Sequence, residues 1–403
     1  SIRRALNDDA SAPKFVETIP RYGYLFLQKP EFLDAPPNEP ESGLRLINRH
    51  FKIAASLALV VILCAVFFVF TKPQSGAGHS VSTENYVASP GYADFLYGRY
   101  ALSRGDFEQA EERLKSAVKS DPSLAPAYIS LARIHVANRR SSWLKIVNAQ
   151  ELADRAIEID NDLAAGHALK AGLALYYLRD HVLARDHIQK ALALAPNDPD
   201  VLVVDAYLNI IQGDENGALE AIGRAHEIRP LSTNLNADYG WILYKAGSWN
   251  DAERLCKTSI DLNPRSAFAL DCVIHVNHSQ GDYAEAAEYG LQLMALRNAT
   301  KEDVDTVRQI ADPRMRERAY WDWTLEWIEN NAADINDPFS KRAITLTMLG
   351  RYDEAVEVFN RAYEKNGEPF LAFLGVDPRV DELRSHTHFK MLASQSQVPA
   401  MIN

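Results

Sequence analysis

Hydrophobic residues form one uninterrupted run near the N-terminal end of the chain. Residues 53–70, IAASLALVVILCAVFFVF, contain no charged residue, proline or glycine. An α-helix of this length is about what crosses the roughly 30 Å hydrocarbon core of a bilayer. The pattern therefore predicts a transmembrane helix over 53–70. A core helix of a soluble domain is the alternative.

Charged residues around this run predict its orientation. Arg45, Arg49 and Lys52 lie just before it, whereas only Lys72 follows closely. Cationic residues are retained on the cytoplasmic side of a membrane. We therefore expect a single-pass membrane protein whose N-terminal part is cytoplasmic and whose larger C-terminal part lies outside.

The segment before the hydrophobic run predicts a helix followed by two strands. SIRRAL at 1–6 is typical of the end of a basic helix, and proline at 13 prevents its continuation. Strand-like runs cover 14–19 and 24–27, and the turn residues Pro-Arg-Tyr-Gly lie between them. Residues 31–52 and 71–90, rich in proline or in small residues, are predicted linkers on the two sides of the span.

The string IRRALNDDASAPKFVETIPRYGYLFL resembles the C-terminal end of the winged-helix domain of OmpR/PhoB-class regulators. It is most similar to the membrane-anchored branch typified by ToxR and CadC. The resemblance implies that residues 1–30 are the truncated end of a DNA-binding domain whose earlier part precedes Ser1. It also implies DNA contacts by Arg3 and Arg4 in the recognition helix and by Arg21 and Tyr22 in the wing.

A regular period organises the rest of the chain. Pro196, Pro230 and Pro264 are evenly spaced along the sequence. Small residues recur in the same register before each proline, and Gly-Asp or Gly-Ser pairs mark turns between two helical stretches. Small residues let antiparallel helices approach closely. The small-residue ladder comprises Gly172, Ala184, Ala191, Ala206, Ala218, Ala225, Gly240, Ala252 and Ser259.

This pattern resembles the tetratricopeptide repeat, whose period of about 34 residues matches the spacing of the prolines. The ladder continues before Pro196 and again around 281–287 and 350–362, with an off-consensus helical stretch at 301–331 between them. The segment 376–384 resembles the cap that ends such arrays. We therefore predict a mostly α chain in which 91–403 form a capped repeat solenoid. A generic helical bundle is the alternative.

The tetratricopeptide resemblance implies that certain positions of each first helix line a concave groove. Aromatic residues recur there, which suggests an apolar groove for a peptide or a partner helix. The alternative is that these residues pack between repeats. The predicted groove residues are Tyr92, Phe95, Arg99, Tyr176, Tyr207, Trp241 and Tyr244.

Charge and cysteines limit the remaining possibilities. Of the total net charge of −11, residues 1–52 contribute +1 and the remainder −12, and an acidic domain is a poor binder of nucleic acid. Cys256 and Cys272 fall in neighbouring helices of consecutive repeats, so we predict that they lie close enough for a disulfide. Metal binding by Cys272, His275 and His278 is disfavoured because a fourth ligand is missing.

The sequence contains no pattern that points to catalysis. It lacks a glycine-rich phosphate loop, a nucleophile elbow and an HExxH pair, so we expect neither enzymatic activity nor a cofactor. The combined interpretation is a one-component transcriptional regulator in a bacterial inner membrane. Its winged helix would bind promoter DNA, and its periplasmic repeats would sense a signal or a protein partner, with homo-oligomerisation left open. The alternative is a membrane-tethered repeat scaffold or assembly adaptor with no DNA-binding role.

Overall fold

A computed structural model describes residues 16–19, 23–26, 84–137, 143–333, 335, 337–365 and 368–396. Contacts divide the chain into two units, Ser1–Gln74 and Ser75–Asn403. Each unit is described by itself.

Two paired strands are the described part of the first unit. Strand β1 (Val16–Ile19) and strand β2 (Gly23–Phe26) are antiparallel, with Val16 opposite Phe26 and Ile19 opposite Gly23. They coincide closely with the two runs whose alternation predicts strands. The helix expected at 1–6 lies outside the described residues.

The prediction of a single-pass inner-membrane protein has to be corrected. Among the helices that the structure describes, none combines the length and the apolar character that crossing a bilayer requires. The run at 53–70, on which the prediction rested, lies outside the described residues. The structure therefore gives no support for that localisation.

The described part of the second unit is helical. Its helices are α1 (Glu84–Val87), α2 (Tyr92–Ser103), α3 (Phe107–Ser120), α4 (Ala125–Ala137), α5 (Trp143–Ile159), α6 (Ala164–Leu173), α7 (His181–Leu194), α8 (Pro199–Ile211), α9 (Glu215–Ile228), α10 (Thr233–Lys245), α11 (Trp249–Leu262), α12 (Ala267–Gln280), α13 (Tyr283–Leu296), α14 (Lys301–Arg308), α15 (Pro313–Asn331), α16 (Pro338–Met348), α17 (Tyr352–Lys365) and α18 (Thr387–Ser396). A π-helical turn, Ala174–Leu178, extends α6, and 3-10 turns cover Pro369–Phe373 and Pro378–Ser385.

Consecutive helices pack as hairpins, and the hairpins stack in chain order. The hairpins α2/α3, α4/α5, α6/α7, α8/α9, α10/α11 and α12/α13 are consecutive repeats, and α16/α17 is a further one. The first helices α2, α4, α6, α8, α10 and α12 also contact one another in sequence. We call the surface that they share the inner face. The predicted repeat solenoid is therefore present.

Turn chemistry fixes most of these hairpins. Gly105, Gly213 and Gly281 have φ angles of 75°, 79° and 80°, a left-handed conformation that glycine adopts without a Cβ clash. The aspartate after each glycine accepts a hydrogen bond from a backbone N–H in the next helix, for example Asp214 from Gly217 N at 2.9 Å. The α6/α7 hairpin instead has Arg179 in the left-handed region, with a φ of 54°.

The predicted ladder of small residues forms the contact between paired helices. Ala184, Ala191, Ala218 and Ala252 have no exposed surface. At Gly240 an added Cβ would clash with the sulfur of Cys256, so no larger residue fits between α10 and α11. Burial of these positions explains why the period of the sequence predicts the period of the fold.

The C-terminal part of the chain returns to the middle of the array. Residues 368–385, which we call the strap, contain the two 3-10 turns. Ala372 and Phe373 of the strap join the hydrophobic cluster that α6, α8 and α10 form, whereas Phe370 and Leu371 join the cluster of the later repeats. The strap therefore links the end of the solenoid to its inner face.

Candidate functional site: the inner face

The inner face carries a groove that remains open along the earlier repeats. A cavity of about 380 Å³ lies between α4, α6, α8 and α10, and a second of about 210 Å³ extends it towards α2. The two cavities share Arg133, Ala168 and Asp200. We call this continuous surface the open groove.

Small and apolar side chains give the open groove its depth. Ala165, Ala168 and Gly172 of α6 line it, and their small size leaves space between the neighbouring first helices. Apolar walls stand on both sides of this floor, and those of the larger cavity include Val136, Leu169, Leu173, Val203, Val204 and Leu235. Such a surface gains free energy when apolar side chains of a ligand cover it.

A shared ion pair crosses the open groove. Asp200, in the first turn of α8, lies 3.3 Å from the Arg133 guanidinium and 2.5 Å from that of Arg229. Burial opposes ionisation of Asp200, but the two guanidinium groups outweigh this effect and lower the pKa of its carboxyl. All three side chains remain partly exposed, so they can also exchange hydrogen bonds with a ligand.

The strap fills the continuation of this groove along the later repeats. The ring of Phe373 lies 5.9 Å from that of Tyr176 and 5.8 Å from that of Tyr207, measured between centroids. The Arg379 guanidinium lies 4.4 Å above the Trp241 ring. The chain itself therefore supplies the ligand of this part of the inner face.

A buried ion triad holds the strap in place. The Asp377 carboxylate lies 3.0 Å from the Lys245 ammonium and 2.8 Å from the Arg379 guanidinium, and its side chain has no exposed surface. Burial disfavours the charge of Asp377, but the two cations dominate and hold its pKa far below the usual range. Burial lowers the pKa of Lys245 while Asp377 opposes that shift. At the other end of the strap, Glu368 accepts a hydrogen bond from Ser340 N at 3.0 Å.

The predicted groove residues divide between the open and the covered part. Phe95 and Arg99 line the smaller cavity, with the Arg99 guanidinium 5.6 Å from the Phe95 ring, and Tyr92 packs on that ring at 5.9 Å. Tyr176 lines the larger cavity and also contacts the strap. The remaining three, Tyr207, Trp241 and Tyr244, are buried.

Sequence reasoning missed the residues that give the groove its polar chemistry. Arg133, Asp200, Arg229 and Asp238 belong to no repeat motif, and only their packing brings them together. Asp377 and Arg379 lie in the segment predicted as a cap. The Asp-Pro-Arg string at 377–379 is their only local signal, and it predicts a turn rather than an insertion into the inner face.

Cys256 and Cys272 are joined. The Cα atoms of Cys256 and Cys272 lie 6.1 Å apart, and their sulfur atoms form a disulfide between α11 and α12. Of the other residues weighed as metal ligands, His278 lies 2.6 Å from Glu317, and His275 stacks on Trp321 with centroids 5.1 Å apart. Each of the three side chains therefore has a bonding or packing partner within the repeats. The four predicted DNA contacts, Arg3, Arg4, Arg21 and Tyr22, lie outside the described residues.

Comparison with known proteins gives the class of the fold. A tetratricopeptide-repeat family matches residues 96–141. The chain is 21% identical over 294 residues to the protein CTR9 homolog of Arabidopsis thaliana, a match that covers 69% of this chain and 26% of that protein. The chain thus spans about a quarter of the length of this curated relative. Together with the stacked hairpins, the family match identifies a mostly α solenoid of the tetratricopeptide-repeat kind.

Two solved structures, those of PilF and PilW, resemble part of this chain. PilF of Pseudomonas aeruginosa is 23% identical, with 53% of this chain and 94% of that chain covered and a TM-score of 0.38. PilW, a type IV pilus biogenesis factor, is 22% identical, with 54% and 98% covered and a TM-score of 0.41. Scores and identities at this level carry no argument about function.

The comparisons also correct the predicted family. The resemblance to ToxR- and CadC-type regulators rested on a single short string at the N-terminal end, whereas the family match lies within the repeats. The prediction of a membrane-anchored, DNA-binding transcriptional regulator is therefore wrong, because the family match lies within the repeats and no described helix is long and apolar enough to cross a membrane.

Proposed function

We propose that this protein is a scaffold or adaptor that binds a segment of a partner protein in the open groove. This function is the alternative that the sequence left beside transcriptional regulation. Tetratricopeptide arrays are protein-binding surfaces, and their stacked hairpins create an extended concave face. The open groove offers such a face with apolar walls and with a polar pair, Arg133 and Asp200, at its centre.

The strap is the single observation that carries this proposal. It is an irregular segment, and it is bound on the inner face through an aromatic side chain, a buried carboxylate and a stacked guanidinium. The inner face of this array therefore binds a peptide segment of 3-10 turns within the molecule. The open groove continues the same face along the earlier repeats, and its apolar walls lack such a cover among the described residues.

A peptide library tests the proposal on the full chain. Twelve-residue peptides displayed on phage are selected against the wild-type protein, and the enriched peptides are synthesised for affinity measurement. Val203→Glu places a charge on the apolar wall of the larger cavity, and we expect at least a tenfold loss of affinity. Val182→Glu is the matched control, because Val182 of α7 is 82% exposed and lies outside the groove.

Two results would overturn the proposal. One is a failure to enrich any peptide above the background of a surface without protein. The other is equal binding of the enriched peptides to both valine variants. Circular dichroism shows whether Val203→Glu keeps its helical content. If it does not, Leu169→Gln replaces it, because Leu169 lines the same cavity and is only partly buried.

A further inference from the structure

One carboxylate in the open groove forms no ion pair within the described part of the chain. Asp238 of α10 lines the larger cavity. Its Oδ1 accepts a hydrogen bond from the Tyr207 hydroxyl at 2.8 Å. Within the described part of the chain, this is its only hydrogen bond, and Asp238 forms no ion pair there. A half-buried carboxylate without a counter-ion is costly, because desolvation disfavours its charge.

The neighbouring cations are already engaged by other carboxylates. Arg133 and Arg229 both pair with Asp200, and Lys245 pairs with Asp377 of the strap. Moving one of these cations to Asp238 would take from Asp200 or from Asp377 one of its two cationic partners. The counter-ion of Asp238 is therefore expected to come from outside the chain.

The surroundings of Asp238 suit an alkylammonium group. The ring of Tyr176 borders the same cavity and meets the Tyr207 ring edge to face at 6.1 Å, so a cation beside Asp238 could also approach an aromatic face. The apolar side chains of Leu173, Val203 and Leu235 line the route to the carboxylate and would cover a methylene stem.

Geometry favours lysine over other cations. The Tyr207 hydroxyl already occupies Oδ1, so a guanidinium would have to share that oxygen to pair with both carboxylate oxygens at once. An ammonium is a point charge that needs only the remaining oxygen. A calcium or magnesium ion requires about six oxygen ligands, and Asp200, the other carboxylate close by, is already held by two arginines.

We propose that the larger cavity binds a lysine side chain of the partner segment, with its ammonium on Asp238 and its stem against the apolar walls. This inference rests on the proposed function and adds the chemistry of the ligand. Tyr207 acts as a positioning residue, because its hydroxyl fixes the carboxylate without facing the cavity itself.

The charge of Asp238 gives the site a pH dependence. Burial raises the pKa of Asp238 to about 6, which the Tyr207 hydrogen bond opposes. The pKa of Asp200 is lowered by its arginines, and burial raises those of both tyrosines well above 10. The ionisable groups around Asp238 are Tyr176, Tyr207, Asp200, Lys245, Arg133 and Arg229, and we assign the pH dependence of the site to Asp238.

Butylammonium, which reproduces the lysine side chain, is the probe, and 1-butanol is its neutral counterpart. Binding to the full chain is followed by saturation-transfer NMR. We expect butylammonium to bind more tightly than 1-butanol, and about tenfold more tightly at pH 7.5 than at pH 5, because ionised Asp238 is the partner. Asp238→Asn should weaken butylammonium at least fivefold and remove the pH dependence.

Control variants separate the charge from the fold. Asp322→Asn changes an exposed helical aspartate outside the groove and should bind butylammonium like the wild type. Tyr207→Phe keeps the Asp238 carboxylate but removes the hydrogen bond that positions it. This variant should weaken the binding of butylammonium by a smaller factor than Asp238→Asn does. Equal binding of butylammonium to the wild type and to Asp238→Asn would overturn the inference, as would equal binding of butylammonium and 1-butanol.

The peptide selection distinguishes this inference from the proposed function. Peptides that bind the groove should lose affinity when a lysine is replaced by norleucine, which removes the charge and keeps the stem. Groove-dependent peptides that tolerate this replacement at every lysine would overturn the inference and leave the proposed function in place. Butylammonium binding through Asp238 without any groove-dependent peptide would leave the ammonium site and overturn the proposed function.

Discussion

Removing the carboxylate of Asp377 should release the strap from the inner face. Asp377→Ala leaves Lys245 and Arg379 without their shared partner, and the side chains of these two cations are only 4% and 10% exposed. Breaking a buried ion pair from one side costs about 3–5 kcal/mol, because the remaining charge stays desolvated. The loss should act on the opening of the strap, since Asp377 lies within it.

Hydrogen exchange detected by mass spectrometry measures this opening directly. Every 1.4 kcal/mol corresponds to a tenfold change in an equilibrium constant, so the protection of strap amides should fall by roughly a hundredfold to several thousandfold. Amides in α2 and α3, far along the array, should keep their protection because each repeat contacts mainly its neighbours. Asp381→Asn is the control, because its pair with Arg384 is exposed and surface pairs contribute about 0–1 kcal/mol.

A compensated variant tests the physical reason for this loss. Replacing the whole triad by Lys245→Met, Asp377→Leu and Arg379→Met removes the stranded charges together, and such replacements of buried ion pairs are often neutral. We expect this triple variant to protect the strap better than Asp377→Ala does. Strap protection in Asp377→Ala that matches Asp381→Asn would refute the reasoning about the triad.

Three further predictions follow from buried groups. Trp241→Ala should lower the free energy of unfolding by about 3–5 kcal/mol, because the ring is buried beneath the strap; a loss below about 1 kcal/mol in urea unfolding would contradict this packing. Burial raises the pKa of Asp337 to about 7, so the folded state holds a proton that the unfolded state releases, and stability should fall as the pH rises from about 4 to 7. Asp337→Asn should flatten that decline in stability. The change is at most about 4 kcal/mol, because one pKa unit corresponds to about 1.36 kcal/mol. An unchanged slope of stability against pH in urea unfolding would exclude Asp337 as its source. Replacing Cys256 and Cys272 together by alanine should cost ~3 kcal/mol, as expected for a closed loop of about 15 residues, and an unchanged urea midpoint would contradict this estimate.

The repeat architecture was predictable because its determinants are local and periodic. Small residues such as Ala184 and Ala218 recur once in every repeat, and each one is buried where two helices meet. Glycine-aspartate turns such as Gly213-Asp214 mark the hairpins and adopt the conformation that their sequence predicts. A period of this kind needs no knowledge of distant contacts.

The use of the inner face was predictable only in part. Repeat position singled out Tyr176, Tyr207 and Trp241, but it could not show that the strap contacts them. Phe373 and Tyr176 meet although they are far apart in the sequence, and no periodic pattern encodes such a contact. The ion triad and the unpaired Asp238 have the same origin, because each depends on side chains from separate elements.

In the N-terminal segment, the sequence predicted the local structure but led to a wrong function. Its strands form where their alternation predicts them, yet a hairpin with four residues in each strand is compatible with many folds. The family assignment rested on a short string that represents only the end of a domain. The predicted membrane span rested on the run at 53–70, which lies outside the described residues. Local pattern thus predicted local structure, whereas the function inferred from it was wrong.

Site-specific photocrosslinking tests the central claim most directly. Benzophenone-alanine is introduced into the full chain at Val203, on the wall of the open groove, or at Val182, on the exposed surface of α7. Each protein is irradiated with a peptide selected on the wild type. The account predicts a crosslinked peptide at 203 and none at 182, and crosslinking at 182 alone, or equally at both positions, would contradict it.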